Sequence, residues 1–282
     1  MEIGVGLPSC VPGCAPRTVI DWAAAADAAP FASVGTVDRT LYGNYDPLLA
    51  LTAAAAVTSR VQLVTSILIA PLREAATLAK QVATLDVLSG GRLTLGVGVG
   101  ARRDDYDASE FSHAGRGARL GDLLHSMRAH WEDGQLGPRP SRAEGPPVLM
   151  GGQSGPALAR MAAHADGYIH NGGPPRAFAR AAEQARAAWA DAGRPARPQL
   201  WAMAYYALGD DGVTDAGRTY LRDYYAFTGP FAQRIADGLL TEPLMLREFL
   251  DGYADAGCDH LILFPTVADP EQLDRLAGAA FS

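Results

Sequence analysis

The sequence alternates eight times between short apolar runs and longer segments of helical periodicity. This alternation favours a parallel sheet whose strands are joined by helices. The 282 residues are close to the roughly 250 of one (β/α)8 TIM barrel, so we expect a single α/β domain over residues 1–282. An open, doubly wound sheet has the same periodicity and stays as the competing topology. The expected strands are Ile3–Leu7, Phe31–Val37, Val61–Ala70, Arg92–Val99, Val148–Met150, Asp166–His170, Gln199–Leu208 and His260–Phe264.

Proline and glycine mark where the intervening helices begin and end. Asp46 followed by Pro47 predicts an N-cap and a first helical residue. The Pro-rich segment 137–147 joins a helix to a strand, and it is a long loop rather than a domain linker. Helical spacing is expected over about 17–29, 47–58, 74–88 and 118–131, up to 164 and 192, and over 214–256 and 270–280.

The charge balance is acidic, with 31 Asp and Glu against 24 Lys and Arg and a formal net charge of −7. This sign opposes electrostatic binding of nucleic acid, so we expect no such partner. Apolar stretches such as 61–71 are about ten residues long, short of the roughly 20 that span a bilayer, so no membrane partner is expected. Three cysteines and a start without a charged segment before an apolar run predict a cytoplasmic protein with free thiols.

A barrel carries its site at the carboxyl ends of its strands. The residues that follow the predicted strands are therefore the candidates for binding and catalysis. They include Leu7, Asp38 and Arg39, 66–71, 98–105, 151–154, 170–173, Tyr205 and Tyr206, and 264–266.

Two glycine-rich turns follow neighbouring strands. Gly151, Gly152, Gln153 and Ser154 open a helix, where backbone N–H groups and the helix dipole favour a phosphate. An ordinary turn with Ser154 as N-cap is equally compatible with this spacing. The second turn, at 171–173, makes phosphate binding more favoured than one turn alone does. The glycines at 96, 98 and 100 lie inside a strand and lack the dinucleotide-binding spacing.

Histidines and cysteines give little chemical signal. No metal-binding pattern or catalytic triad is present, and no metal is expected. Only His170, at a strand end, and His113, in the loop after the fourth strand, are candidates for catalysis, while core or surface positions are the alternative. Cys10 and Cys14 have no second ligand pair.

Four segments together resemble the luciferase-like monooxygenase superfamily of flavin- and F420-dependent barrel enzymes. They are Thr65-Ser66-Ile67-Leu68 with Pro71, the tract from Leu78 to Arg92, Leu95 to Gly100, and Gly151 to Ser154 with Ala165 to Ile169 downstream. Each segment is weak evidence alone, but their order along nearly the whole chain is specific.

The resemblance implies a non-proline cis peptide at Ser66–Ile67 that supports a flavin or deazaflavin ring. It places the cofactor phosphate at 151–154 and, less strongly, at 171–173. F420-dependent sugar dehydrogenases of the superfamily have a catalytic His and an acidic residue at positions that correspond here to Arg39 and Ala101, so that reaction is not expected. Arg39 could clamp an anionic substrate or the ring edge, or form a structural ion pair. Arg102, Arg103, Arg116 and Arg119 surround the fourth loop, facing an acidic group or solvent.

The sequence thus predicts an oxidoreductase that uses reduced F420 or FMN for hydride transfer or monooxygenation of a small organic substrate. A flavin-independent lyase or isomerase acting on a phosphorylated metabolite is the alternative, and a non-catalytic flavin-binding protein ranks below it. Tyr42, Tyr45, Tyr205 and Tyr206 are candidates for substrate stacking or proton donation, with core packing as the alternative. The family resemblance suggests a homodimer. The predicted catalytic residues are Arg39, Tyr42 and His170, and the predicted cofactor-binding residues are Leu7, Asp38, Ser66, Ile67, Gly98, Gly151, Gly152, Gln153, Ser154, Asn171 and Gly172.

Overall fold

The computed structural model describes residues 1–281, and in them eight parallel strands close into one barrel. The (β/α)8 prediction is confirmed, and the open sheet is wrong because β1 pairs with β8. The strands are β1 Glu2–Gly6, β2 Ser33–Thr36, β3 Gln62–Ile69, β4 Leu93–Gly98, β5 Val148–Met150, β6 Gly167–His170, β7 Gln199–Tyr206 and β8 His260–Pro265. The helices are α1 Pro16–Ala28, α2 Pro47–Ala55, α3 Ala75–Leu88, α4 Arg103–Asp107, α5 Arg116–Asp133, α6 Gly155–His164, α7 Pro175–Asp191, α8 Asp211–Tyr224, α9 Phe231–Asp237, α10 Pro243–Asp255 and α11 Glu271–Ala280.

The main core lies between the barrel and its ring of helices. Strand side chains such as Val5 and Leu63 are fully buried there against helix residues such as Trp22 and Leu78. Each buried side chain of this size stabilises the fold by about 1.5–3 kcal/mol. The Asp46 side chain accepts hydrogen bonds from the second and third residues of α2, which confirms the predicted N-cap.

The predicted helical tract 214–256 is wrong as one element. It consists of α8, a 3-10 turn at Ala226–Thr228, α9 and α10. Gly229 adopts a positive φ of 59° and is followed by Pro230, and these two residues separate the 3-10 turn from α9. The break directs the end of α8 over the barrel mouth. The short helix α4, which the sequence analysis missed, lies in the fourth loop.

Strand β3 changes its register against β4 between Thr65 and Leu68. The Ser66–Ile67 peptide bond at this irregularity is cis, as the resemblance implies. The facing strand carries Gly96 and Gly98, where a Cβ atom would run into the Thr65 carbonyl oxygen and the Ile67 side chain respectively. The glycines of β4 therefore make room for the bulge of β3. This packing role agrees with their lack of the dinucleotide-binding spacing.

No helix within residues 1–281 combines the length and apolar character needed to cross a membrane. The same residues contain no group of three His, Cys, Asp or Glu side chains that could hold a metal ion. Cys10, Cys14 and Cys258 are all free thiols.

Candidate active site

A cavity of about 460 Å³ opens at the carboxyl ends of the strands. Its volume lies in the range of small-molecule sites, and its position is that of the active site in barrel enzymes. Ten of the predicted site residues line it: Asp38, Arg39, Ser66, Ile67, Gly98, Gly151, Gly152, Gln153, His170 and Asn171. The chain thus brings together residues from the ends of β2 through β6.

Four other predicted site residues do not line the cavity. Leu7 is fully buried in the main core, and its backbone N–H bonds the Gly35 carbonyl oxygen. The Tyr42 hydroxyl donates to an Asp223 carboxylate oxygen 2.9 Å away, outside the cavity wall. Ser154 and Gly172 lie one residue beyond lining positions.

One side of the cavity has little side-chain bulk and several polar atoms without partners. Gly98 and Gly151 line the cavity without side chains, and Ile67 lies where a Cβ atom of Gly98 would be. The buried Ser66 Oγ has no hydrogen-bond partner. Since buried hydroxyls are usually hydrogen-bonded, an orphan at the edge of a cavity favours a ligand that completes it.

Asp38 links two strand ends and has few free oxygen sites. Its side chain is 4 % exposed and forms an ion pair with the Arg73 guanidinium at 2.6 Å. The same carboxylate accepts the backbone N–H of Ile69 at 2.8 Å. Asp38 therefore fixes the end of β3 beside the bulge.

Arg39 is held by the fourth loop. Its Nε donates to Asp105 at 2.7 Å, and its Nη2 bonds Asp104 at 3.2 Å and the Leu41 carbonyl oxygen at 3.1 Å. Asp105 is completely buried and also accepts the backbone N–H groups of Thr40 and Leu41. The predicted structural ion pair is present, but the buried Arg39 Nη1 has no partner and remains a free donor at the cavity wall.

The two glycine-rich turns offer fewer amide donors than the sequence suggested. Ser154 caps α6 by accepting the Ala157 N–H, as in the ordinary-turn alternative. Pro156 follows at once and has no N–H, and α7 begins after Pro174 with Pro175. Gly151, Gly152 and Gln153 nevertheless line the cavity.

His170 is a buried, neutral histidine at the end of β6. Burial lowers the pKa of its imidazole from 6.5 to about 4, so the ring is uncharged at neutral pH. The Gln153 amide nitrogen lies 3.3 Å from Nε2, which then accepts and leaves the ring proton on Nδ1. Nδ1 is buried and has no partner. His170 therefore offers a neutral N–H donor rather than a cation.

Arg102 and Arg116 bring positive charge to the cavity. The Arg102 guanidinium donates to the Tyr224 carbonyl oxygen, and Arg116 donates to the carbonyl oxygens of Gly100 and His113 at 3.3 and 3.1 Å. Within residues 1–281 neither forms an ion pair with a carboxylate. Burial, and then repulsion by Arg39, lowers the pKa of Arg102. Two such arginines favour an anionic ligand.

The other two arginines of the fourth loop lie outside the cavity lining. Arg103 forms an exposed pair with Asp107 at 3.8 Å. Arg119 donates to the carbonyl oxygens of Pro71 and Ser112. His113 packs edge-on against Tyr106 and does not line the cavity either.

Aromatic side chains form the opposite wall, and of these the sequence analysis identified Tyr205 alone. Tyr224, Tyr225 and Phe227 come from the end of α8 and the 3-10 turn, and Tyr205 comes from β7. The hydroxyls of Tyr205 and Tyr225 lie 2.8 Å apart. Tyr224, Tyr225 and Phe227 lie where α8 ends and the 3-10 turn begins, within the tract that the sequence analysis predicted as one continuous helix.

Two further predicted residues have core roles. Tyr206 is fully buried, with its hydroxyl 3.4 Å from the Gln272 carbonyl oxygen. Tyr45 donates to the Cys14 carbonyl oxygen at 3.2 Å, outside the cavity lining. The single lysine, Lys80, lies at an exposed position of α3 and bonds the Gly137 carbonyl oxygen at 2.9 Å. No lysine therefore reaches the cavity.

Comparison with known proteins agrees with this architecture. A family model described as luciferase-like monooxygenase matches residues 1–272. An uncharacterized protein of Mycobacterium tuberculosis (strain H37Rv) is 32% identical over 177 residues, which cover 58% of this chain and 61% of that protein. The match thus spans less than two thirds of the relative's length.

Two solved structures share the fold. An F420-dependent secondary alcohol dehydrogenase in complex with an F420-acetone adduct has a TM-score of 0.82 at 16% identity, covering 99% of this chain and 97% of that chain. The oxygenating constituent of 3,6-diketocamphane monooxygenase from Pseudomonas putida, in complex with FMN, has a TM-score of 0.69 at 17% identity, covering 94% and 91%. With its family match over nearly the whole length, this chain belongs to the luciferase-like monooxygenase family.

Proposed function

We propose that this protein is an oxidoreductase that binds reduced F420 or FMN in the cavity and acts on a small organic substrate. Family membership supports the enzyme class. The observation that carries the proposal is the cavity itself, where a bulged β3 faces glycines and where three buried polar atoms lack partners. These atoms are Ser66 Oγ, Arg39 Nη1 and His170 Nδ1.

The residues present fit a flavin or deazaflavin ring. A Cβ atom at Gly98 would run into the Ile67 side chain, so glycine at this position lets Ile67 lie against β4 and out of the ring space. The orphaned polar atoms would meet the oxygen and nitrogen atoms at the edge of such a ring. We assign the ring to this side of the cavity.

The phosphate of the cofactor would lie against Arg116 and Arg102, with the backbone of 151–153 beside it. Their unpaired guanidinium groups supply the charge that a phosphate needs, while proline at 156 leaves α6 with fewer donors. When bound, the cofactor supplies a hydride or activates oxygen.

The protein's own contribution is to position and to exclude water. Asp105 holds the Arg39 guanidinium so that Nη1 stays available as a donor at the cavity wall. His170 offers a second, uncharged donor. Both groups are preorganised before a ligand arrives, which is how fixed dipoles contribute most to binding and catalysis.

Titration of the purified protein with FMN and F420, each oxidised and reduced and followed by absorbance, tests the proposal. We expect one of the two to bind. Slow reoxidation of the bound reduced form in air would support reduction or dehydrogenation, and fast reoxidation would support monooxygenation. Failure of both cofactors to bind would refute the proposal and favour a flavin-independent lyase or isomerase.

A matched pair of glycine variants places the ring. Gly98→Ala should weaken cofactor binding at least tenfold, because the new methyl group forces Ile67 into the ring space. Gly278→Ala is the control, since a Cβ atom there meets nothing within 4 Å. Equal affinities in the two variants, both folded by circular dichroism, would contradict the placement.

The homodimer stays a prediction, which light scattering would check.

A further inference from the structure

The aromatic wall opposite the proposed ring seat is only partly covered by other residues of the protein. Phe227 lines the cavity with 47 % of its surface exposed. Tyr225 stacks on it with ring centroids 6.4 Å apart and planes inclined at 30°. The wall therefore presents aromatic faces that a flat apolar ligand would cover.

The wall is held in place from the fourth loop. The Arg102 guanidinium lies 4.1 Å from the Phe227 ring centroid and 4.8 Å from that of Tyr224. Cation–π contacts at these distances are attractive. They orient the rings before a ligand binds, and they add positive charge beside them.

The hydroxyls of Tyr205 and Tyr225 leave one proton without an acceptor. The two oxygens are 2.8 Å apart, so one hydroxyl donates to the other. The accepting hydroxyl keeps its own proton, and within residues 1–281 no other group bonds either hydroxyl. Both side chains line the cavity, so an oxygen atom of a ligand is the missing acceptor.

Tyr225 is the better placed of the two to donate to a ligand. Tyr205 is buried, whereas Tyr225 is partly exposed and lies beside the exposed ring of Phe227. Burial raises the pKa of both phenols, so both stay protonated at neutral pH. With Tyr205 donating to Tyr225, the O–H of Tyr225 is the one free for a ligand.

We infer that the substrate is a planar aromatic compound with a carbonyl or hydroxyl oxygen, which lies against Phe227 and receives a hydrogen bond from Tyr225. This deepens the proposed function and rests on it only in taking this cavity as the active site. Tyr225 is thus a specificity-determining residue. Purely aliphatic substrates would lose the stacking, and aromatic hydrocarbons would lose the hydrogen bond.

Binding of 2-naphthol and naphthalene, measured by their fluorescence with the cofactor-free protein, tests this inference without turnover. We expect 2-naphthol to bind about tenfold more tightly, as one buried hydrogen bond allows. Tyr225→Phe should remove this difference by weakening 2-naphthol alone. Phe227→Ala should weaken both probes. Tyr220→Phe is the matched control, because its hydroxyl bonds Cys10 at 2.8 Å and does not line the cavity.

Four outcomes would overturn the inference. Three of them are the absence of binding by the wild-type protein, an equal effect of Tyr225→Phe on both probes, and an equal effect of Tyr220→Phe and Tyr225→Phe. A fourth is displacement of 2-naphthol by whichever cofactor binds, since it would place the probe in the ring seat. If neither cofactor binds but the probe results hold, the proposed redox function fails while the aromatic site stands.

Discussion

Two buried histidines lie at opposite ends of the barrel and differ in what their ring nitrogens contact. At the amino end of β8, His260 has Ser33 Oγ at 2.8 Å from Nε2 and a Glu2 carboxylate oxygen at 3.0 Å from Nδ1. Its ring stacks on Trp201 with centroids 4.0 Å apart. At the carboxyl end of β6, His170 has one long contact, to Gln153, and an orphaned Nδ1.

Burial lowers the pKa of both imidazoles to about 4. A perturbed pKa alone therefore does not separate the structural end of this barrel from the functional one. The number of satisfied ring nitrogens does separate them. A histidine ring with both nitrogens hydrogen-bonded stabilises the fold, whereas a ring N–H without a partner at a cavity wall is available to bind a ligand.

Arg39 is the strongest test of the distinction between structural and functional residues, because it lines the cavity and also forms a buried ion pair. Arg39→Met leaves the completely buried Asp105 without its cation, which should cost about 3 kcal/mol of unfolding free energy in urea denaturation. The exposed Arg103 offers a control, since Arg103→Met should change the same free energy by less than about 0.5 kcal/mol. Stability of Arg39→Met equal to that of the control would show that the ion pair is dispensable. Recovery in the double variant Arg39→Met, Asp105→Leu would support the buried charge as the cause.

The two histidines give the next effect. His260→Ala removes the stack on Trp201 and leaves Ser33 Oγ unpartnered, so we expect a loss of about 2–4 kcal/mol in unfolding free energy and unchanged cofactor affinity. His170→Ala should lose less than His260→Ala, because its ring gives up packing against Phe178 but an unsatisfied nitrogen is removed with it. Its cofactor affinity should fall about tenfold. Reversal of these two patterns would break the comparison.

Much of this architecture follows from local pattern. Strand β5 was predicted at its observed bounds, because a short apolar run between proline and glycine leaves little freedom. The cis peptide at Ser66–Ile67 was implied by the family resemblance alone. The α2 N-cap, like β5, was predicted from residues adjacent in sequence. These features depend on neighbours, and neighbours are what a sequence displays.

The missed features depend on long-range contact. Asp105 meets Arg39 across 66 positions, and Arg102 reaches Tyr224 across 122, which no spacing rule reveals. Tyr225 and Phe227 lie between the end of α8 and Gly229, in a tract predicted as one continuous helix, so their position at the cavity was missed. Tyr42 was predicted as a site residue from its place in the loop after β2. Its hydroxyl bonds Asp223 instead, and the side chain does not line the cavity.

Acid titration sharpens the comparison further. Each ring protonates near pH 4 in the folded protein and near 6.5 when unfolded, so the unfolded chain takes up protons first as the pH falls. The contribution of each histidine to the free energy of unfolding is fully present above about pH 6.5. It should decline toward pH 4, by up to about 1.4 kcal/mol per pH unit for each histidine. Urea denaturation at pH 7, 6 and 5 would measure this slope. His260→Gln should remove the contribution of His260 and so give a shallower slope than the wild-type protein.

The smallest effect concerns the charge at the mouth. Arg116→Gln removes a guanidinium that bonds only main-chain oxygens and the His113 ring, so stability should change little. FMN affinity should fall about tenfold, which corresponds to about 1.4 kcal/mol for one charge-assisted contact to phosphate. Riboflavin, which lacks the phosphate, should bind wild type and variant equally. Arg119→Gln is the matched control, because Arg119 bonds carbonyl oxygens outside the cavity lining. Should riboflavin binding fall as much as FMN binding, Arg116 would face the ring or the substrate instead, and the anionic end of the cavity would have to lie elsewhere.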